Sequence, residues 1–399
     1  MPKVPDTLPT VKISPRGATR LKDGHVWVYR SDIVSADGVL PGALVRVVDH
    51  RGKPLGSALY SSSSQIAIRM ISHDPVTDLP ALLRQRIAAA IAYRESLVTD
   101  SEAYRVVFSE ADFLPGLIVD RYGDILSLQI LTQAMDSDPV REAILAELTD
   151  RLHPASIIER IDLRVRELET LPPRASGLLQ GDKSATAFTM NRVQFHYDAL
   201  EGQKTGAFLD QRENYAAAAR YAKGEALDVF CYQGGFALHL APRCSQVTGV
   251  DSSRPALEVA DQNATLNHQL LNGKEIEWIE ANAFDLLKDY SSSDRHYDTI
   301  VLDPPAFAKS KRDLDAALRG YKELNLRALK MLRPGGILVT CSCSYHVSQP
   351  NFLEMLASAA LDAHRTLRLV EVRGQAKDHP VLLNVPETSY LKCVIASVS

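Results

Sequence analysis

Two cysteines spaced by one residue, Cys341 and Cys343, close the apolar run ILVTCSCS, which reads as a strand. Period-two alternation places both side chains on one face, with Cys343 nearer the carboxyl end. Cys341 fits the ordinary role of cysteine as a small buried hydrophobe. Cys343, farther out, suits a nucleophile. An unperturbed thiol with a pKa near about 8.5 is only a few per cent ionised at neutral pH, so such a site is expected to favour the Cys343 anion. A second run, YDTIVLD, ends in Asp303-Pro304-Pro305-Ala306-Phe307. Each proline fixes its own φ and restricts the residue before it, so Asp303 is held stiffly, as a group that must hydrogen-bond a flat base requires.

A third constellation suits a nucleoside. ALDVF is followed by CYQGGF, in which Gly234 and Gly235 would let backbone pass close to a ligand. The spacing is not GxGxxG, which argues against a dinucleotide. Asp251 ends the next strand sixteen residues after Gly235 and could accept both hydroxyl protons of a ribose; beside Ser252 and Ser253 it could equally cap a helix. After IEWIE, Asn282 and Ala283 could meet an adenine edge, or Asn282 could cap the following turn.

These residues fall at strand ends. Beyond about residue 190 the chain alternates strand and helix: strands at 226–230, 246–251, 276–280, 297–303 and 336–342, with helices from Gly235, across Pro255–Leu266 and near 313–332. Such alternation predicts an α/β, doubly wound parallel sheet, whose ligands sit outside the carboxyl ends of the strands. Residues 1–72 hold short strands at 24–30, 41–49, 56–60 and 65–71 and predict a small all-β module. In the second of these Val45 and Val47 share one face. HDPVTD at 73–78 reads as a linker. Leu82, Leu83, Ile87, Ala90 and Ile91 recur at helical spacing within 79–98 and open a central α+β piece with strands at 104–108, 116–120, 125–130 and 156–161. LPPRASGLLQGD at 171–182 reads as loop. The expected domains are therefore 1–72, 73–186 and 187–399.

With 399 residues the chain should form two to four domains, at roughly 100–200 residues each. Its net charge of −4 argues against a nucleic-acid partner, but the average conceals a split. Residues 1–72 carry ten Lys/Arg against five Asp, giving +5, and the remainder is −9. A basic leading module could meet a polyanion. No apolar stretch is long enough for a signal peptide or membrane span, so a cytoplasmic protein without a membrane partner is expected. Five cysteines without zinc-type spacing predict neither disulfide framework nor metal site.

TGAFLDQRENY, the GGF turn, Asp251, DPPAF, RGYK at 319–322 and TCSCS together resemble the class I S-adenosylmethionine-dependent methyltransferases that make 5-methylcytosine in bacterial large-subunit ribosomal RNA. The likeness spans nearly the whole chain: GHVWVY is similar to the start of that family's PUA RNA-binding domain, and VVFSEADFLPGLIVDRYGD to its central domain. Three positions depart from the pattern: Val26 stands for proline, Ala306 for lysine and Asn282 for an acidic residue.

The resemblance implies S-adenosylmethionine as cofactor and large-subunit rRNA as partner, and leaves open whether the chain forms a homodimer. In its terms Cys343 adds to cytosine carbon-6 and Asp303 binds the N3/N4 edge. Tyr232, Gly234 and Gly235 lie against the methionine part, Asp251 and Ser252 at the ribose, Asn282 and Ala283 at the adenine, and Asp303 at the junction. It adds Phe208 and Arg212 as cofactor neighbours within GQKTGAFLDQR; Phe208 could instead pack in the core, and Asp210 with Glu213 could form a helix capping box. Arg16, Arg20, Lys22 and His25 are the expected phosphate contacts, with Trp27 stacking a base or buried. Two rivals remain: an amino-methyltransferase, since DPPAF is also similar to a (D/N/S)PP(Y/F) motif that needs no cysteine, and a non-catalytic RNA-binding assembly protein.

Overall fold

The structure, a computed structural model, describes residues 8–199, 207–308 and 310–399. They divide into two compact units, one drawn from Met1–Thr186, Asp198–Lys204 and Asp378–Thr388, the other from Ala187–Tyr197, Thr205–Lys377 and Ser389–Ser399. The GQKTG part of the GQKTGAFLDQR segment lies outside the described residues.

The first unit begins with a six-stranded sheet ordered Trp27–Tyr29, Ile66–Ser72, Pro54–Tyr60, Leu44–Val48, Thr10–Ile13 and Ile33–Ser35. Val45 and Val47 are fully buried in it with Val11, Ile13, Val28 and Ile68, while Arg46 is exposed. The module is not purely β. Pro15–Lys22 is a helix whose N-cap, Ser14, accepts from the Gly17 amide. With only Ala18 and Leu21 as apolar contacts, eight residues hold too little periodicity to announce it.

Asp78 caps the helix Leu79–Leu97, which buries Leu83, Ile87, Ala90 and Ile91. That face packs on a five-stranded sheet ordered Gly177–Gln180, Ser156–Glu159, Ile125–Ile130, Leu117–Tyr122 and Ala103–Phe108. The 171–182 stretch thus contains an edge strand, four residues opening on Gly177 and ending before Gly181, in place of the loop expected from its turn formers. A buried seam joins the two sheets of this unit: Arg69 pairs with Glu169 at 3.0 Å, Ser61 Oγ donates to Glu169 at 2.7 Å, and Trp27 Nε1 donates to Glu110 at 3.1 Å.

The second unit is built on a seven-stranded sheet: β1 (Glu225–Val229), β2 (Gln246–Asp251), β3 (Ile276–Glu280), β4 (Tyr297–Leu302), β5 (Leu332–Ser342), β6 (Leu367–Arg373) and β7 (Lys392–Val398), in the order β3-β2-β1-β4-β5-β7-β6. The first five are parallel, as alternation predicts, but β7 runs antiparallel to β5 and β6 antiparallel to β7. The helices Gly235–Leu240, Arg254–Leu266, Ala283–Ser291, Leu314–Met331 and Gln349–Asp362 belong to this unit. Leu227, Val229, Ile300, Leu302 and Leu338 are buried from the sheet against Leu324, Ala328 and Leu329. Strand order reverses between β1 and β4, which makes their carboxyl ends the expected crevice.

Candidate active site

Beyond β1 the backbone turns sharply, with positive φ at Phe230 (68°), Tyr232 (49°) and Gly234 (83°). A Cβ at Gly234 would lie 2.9 Å from Trp278, and one at Gly235 would lie 2.6 Å from the Tyr215 ring. Much of the demand for glycine is therefore internal, set by the chain's own aromatic rings as well as by any ligand. Asp251 accepts one backbone amide from this turn and one from its own loop: Tyr232 N donates to Oδ2 and Ser253 N to Oδ1, both at 2.9 Å. The cap of the following helix is Ser253, so Asp251 is not the N-cap, and Ser252 is exposed beside it. Asn282 does cap its helix, with Oδ1 accepting from Phe284 N at 2.9 Å, and Ala283 is buried at the first helical position.

A cleft over β1 is lined by Phe195, Ala207, Phe208, Tyr215, Phe230, Cys231, Tyr232, Gln233, Gly235, Phe236 and Asp303. It brings Phe208, Tyr232, Gly235 and Asp303 together. Phe208 is 37% exposed and meets Tyr232 edge-on at 5.1 Å, so it is not a core residue. Arg212 does not line this cleft; it is buried, 3.4 Å from Glu213, with its carbonyl accepting from Asn191 Nδ2. Asp251, Ser252, Asn282 and Ala283 stand at the neighbouring strand ends. Asp228, inside ALDVF, does not line this cleft: fully buried, it accepts from Ala237 N at 2.8 Å, and burial reinforced by Asp303 and Asp251 pushes its carboxyl up to about 8.

At the end of β4, Asp303 Oδ1 accepts from Gln211 Nε2 at 3.0 Å. Gln211 Oε1 accepts from Asn214 Nδ2 at 2.7 Å, and Asn214 Oδ1 accepts from Arg373 Nε at 2.8 Å, so a relay of side chains positions Asp303. Burial and the Asp210 carboxylate push the Asp303 carboxyl up to about 7 against the Gln211 hydrogen bond. Asp210 forms no capping box. Its carboxylate accepts from Tyr390 at 2.6 Å and its carbonyl from Ala376 N, while the helix Arg212–Tyr221 starts at Gln211 without a side-chain cap. Sequence reading missed Gln211 and Asn214 because amides carry no charge or periodic signal.

At the end of β5, Cys341 is fully buried opposite Cys393, and Cys343 is half-buried with Sγ 3.9 Å from the Pro304 carbonyl. Ser344 Oγ accepts from Ala308 N at 3.1 Å and shares a 2.9 Å hydrogen bond with Tyr321 of RGYK, tying the DPPAF loop to TCSCS. Contrary to expectation, the site does not favour the Cys343 anion. Burial, with Asp303 and Asp210 nearby, pushes the thiol up to about 11.

In the first unit Arg16, Arg20 and His25 line a shallow concavity with Thr19, Asp23 and Asn384. Arg16 Nε donates to Asp32 at 2.8 Å, Arg20 lies over the Tyr29 ring and 3.8 Å from Asp32, and His25 Nε2 stands 3.2 Å from Glu387. Lys22 is exposed at the end of the same helix. Trp27 is partly buried on its hydrogen bond to Glu110. Asn384 and Glu387 were missed because about 360 residues separate them from the basic segment.

A family model described as S-adenosylmethionine-dependent methyltransferase matches residues 146–393, and one described as a PUA-like domain matches residues 11–73. Fold and matches together define an S-adenosylmethionine-dependent methyltransferase enzyme with an N-terminal PUA-like domain. The ribosomal RNA large subunit methyltransferase I of Shewanella frigidimarina is 37% identical over 397 residues, covering 97% of this chain and 99% of its own. That of Tolumonas auensis is 39% identical over 381 residues, covering 93% and 94%. The chain belongs to the ribosomal RNA large subunit methyltransferase I family. A methyltransferase solved in complex with SAH has the same fold, with a TM-score of 0.82 at 19% identity over 97% of this chain and 99% of that chain. Among the described residues no helix is long and apolar enough to cross a membrane.

Proposed function

We propose that this enzyme methylates carbon-5 of a cytosine in large-subunit ribosomal RNA, in the cytoplasm, through a covalent adduct at Cys343. The rRNA substrate follows the names of the relatives. The chemistry rests on one observation: a half-buried cysteine at the end of β5 whose sulfur lies 3.9 Å from the DPP loop that carries Asp303. The cofactor pocket fits a nucleoside, since Asp251 presents a carboxylate oriented by two backbone amides and Phe208 with Tyr232 supplies apolar walls. When bound there, S-adenosylmethionine supplies an electrophilic methyl group.

Carbon-5 of cytosine is a weak nucleophile, and addition of the Cys343 sulfur to carbon-6 turns it into an enamine carbon that can attack. Asp303, whose carboxyl rises to about 7, is a protonated acid in much of the population at neutral pH and can donate to N3 as ring charge builds during addition. The target base must be single-stranded or extruded to reach these groups. Arg16, Arg20, Lys22 and His25 contact RNA phosphates in this reading, with residues 1–72, 73–186 and 187–399 dividing RNA binding, spacing and chemistry. The neutral thiol favours one rival, direct attack by an exocyclic base nitrogen under the DPPAF loop. Substitution Cys343→Ala separates them: methyl transfer from labelled cofactor to rRNA should fall by at least about 10³-fold with cofactor affinity intact. Full activity in the variant would remove the carbon-5 assignment.

A further inference from the structure

The segment Asp378–Thr388 belongs to the first unit, although in sequence it connects β6 to β7 of the second. Asp378 roots it there. Fully buried, it accepts from Arg105 N at 2.8 Å through Oδ2 and from Arg94 Nη2 at 2.9 Å through its carbonyl, and the buried His379 ring lies 5.3 Å from that of Phe108. Farther along, Leu382 and Val385 pair across a tight turn closed by a 2.9 Å hydrogen bond from Val385 N to the Leu382 carbonyl. Thr388 Oγ1 braces the turn, accepting from Leu382 N at 2.9 Å and donating to the Val385 carbonyl at 2.7 Å. Glu387 stands 3.2 Å from His25 of the basic segment.

The tip of this braced turn is Leu383-Asn384, and neither side chain serves the fold. Leu383 is 94% exposed, and a side chain left in water contributes almost no burial energy. The Asn384 amide makes no hydrogen bond to another described residue. It lines the concavity of Arg16, Arg20 and His25, whose volume of about 450 Å³ lies in the range of small-ligand sites. Gly24 makes that placement possible: its φ is 88°, and a Cβ there would lie 2.3 Å from Asn384 Nδ2.

A bare phosphate would need only the cations of this concavity, and the Asp23 carboxylate in its lining works against one. A nucleotide suits the whole set. Arg16 keeps 67% of its side chain exposed beside Asp32 and can still donate outward to a phosphate. An amide carries both a donor and an acceptor, as base edges do, and unpaired RNA bases are read on those edges. We infer that the turn Leu382–Val385 reads a base of the rRNA substrate. Arg16 and Arg20 hold the phosphate of one unpaired nucleotide, Asn384 pairs with its base edge, Asp23 accepts from its exocyclic amine, and Leu383 packs on an adjoining base face. Uracil, which has no exocyclic amine, is excluded. The inference rests on the reading that the basic segment contacts rRNA phosphates, and it assigns base selection to a turn about 360 residues away in sequence.

The test is filter binding of the full-length enzyme to large-subunit rRNA transcribed in vitro, with polyuridylic acid as the comparison. Asn384→Ala and Leu383→Ala should each weaken rRNA binding about five- to tenfold. The slope of log K against log salt should stay unchanged, because neither residue touches a phosphate, and binding to polyuridylic acid should stay within about twofold. Both side chains sit at the exposed tip of the turn, so neither substitution removes a contact that the fold uses. Unchanged rRNA affinity in both variants would overturn the inference. So would an equal loss on polyuridylic acid, which would make the turn a non-specific contact. Lys22→Ala probes the underlying phosphate reading separately, through weaker binding to both RNAs and a slope smaller by about 1. If it has that effect while the turn variants have none, only the base-reading inference falls; if it changes neither RNA, the phosphate reading falls as well.

Discussion

The two halves of the proposed catalytic crevice hold their carboxylates differently. Asp251, on the proposed cofactor side, receives two backbone amides, Tyr232 N from the turn after β1 that packs on Trp278 and Tyr215 and Ser253 N from its own loop. Asp303, on the reacting side, receives one side-chain amide at the end of a relay through Gln211, Asn214 and Arg373. Among substitutions only proline removes a backbone donor, whereas many remove a side-chain donor. The cofactor side is thus built as a fixed cradle. The proposed reacting side is built from groups whose neutral forms burial favours: Asp303 at about 7 and Cys343 at about 11.

The largest break in that contrast should come from Asp251→Ala. It strands two amides and removes the proposed ribose acceptor, and calorimetry should show cofactor affinity falling about 100-fold, the equivalent of about 3 kcal/mol. Gln211→Leu should do the opposite, lowering kcat about tenfold while leaving the cofactor Kd within about twofold, because it frees Asp303 and leaves the cradle untouched. Equal losses in both quantities would mean the two halves are one cooperative site.

Asp303→Asn sharpens the electrostatic side. The folded-state carboxyl lies above its unfolded value, so its contribution to stability is full below about pH 4 and is lost as pH rises through about 7. The asparagine variant escapes that loss, so its melting temperature relative to wild type should grow from pH 4 to pH 8. With partial exposure reducing the effect to on the order of 1 kcal/mol, the gain should be about 2–4 °C. A gain that does not depend on pH would place the cause in packing.

The smallest effect concerns the first unit. Removing residues 1–72 is a poor probe of RNA binding, because Glu169 and Glu110 would lose Arg69, Ser61 and Trp27. Lys22→Ala is cleaner, since Lys22 is exposed; it should weaken rRNA binding a few-fold and reduce the slope of log K against log salt by about 1.

Strand ends were the legible part of this chain. QVTGVD and IEWIE form strands with the bounds read from sequence, the first a mostly buried inner strand and the second a half-exposed edge strand carrying two exposed glutamates. Asp303, Cys343 and Asp251 stand where strand ends put them. What sequence concealed was long-range or electrostatic: the helix Pro15–Lys22 is too short to show a period, and the antiparallel β6–β7 pair breaks an otherwise parallel alternation. Gln211 and Asn214 acquire roles only through partners on other elements. The state of Cys343 was also hidden, since burial and two carboxylates set it.

The most direct test of the central claim is a covalent trap. An rRNA fragment bearing 5-fluorocytidine at the target position, incubated with enzyme and S-adenosylmethionine, cannot lose its carbon-5 substituent as a proton. The account predicts a denaturation-resistant complex that maps to Cys343 and is absent with Cys343→Ala. Multiple-turnover methylation of the natural fragment without any adduct on the fluorinated one would contradict it.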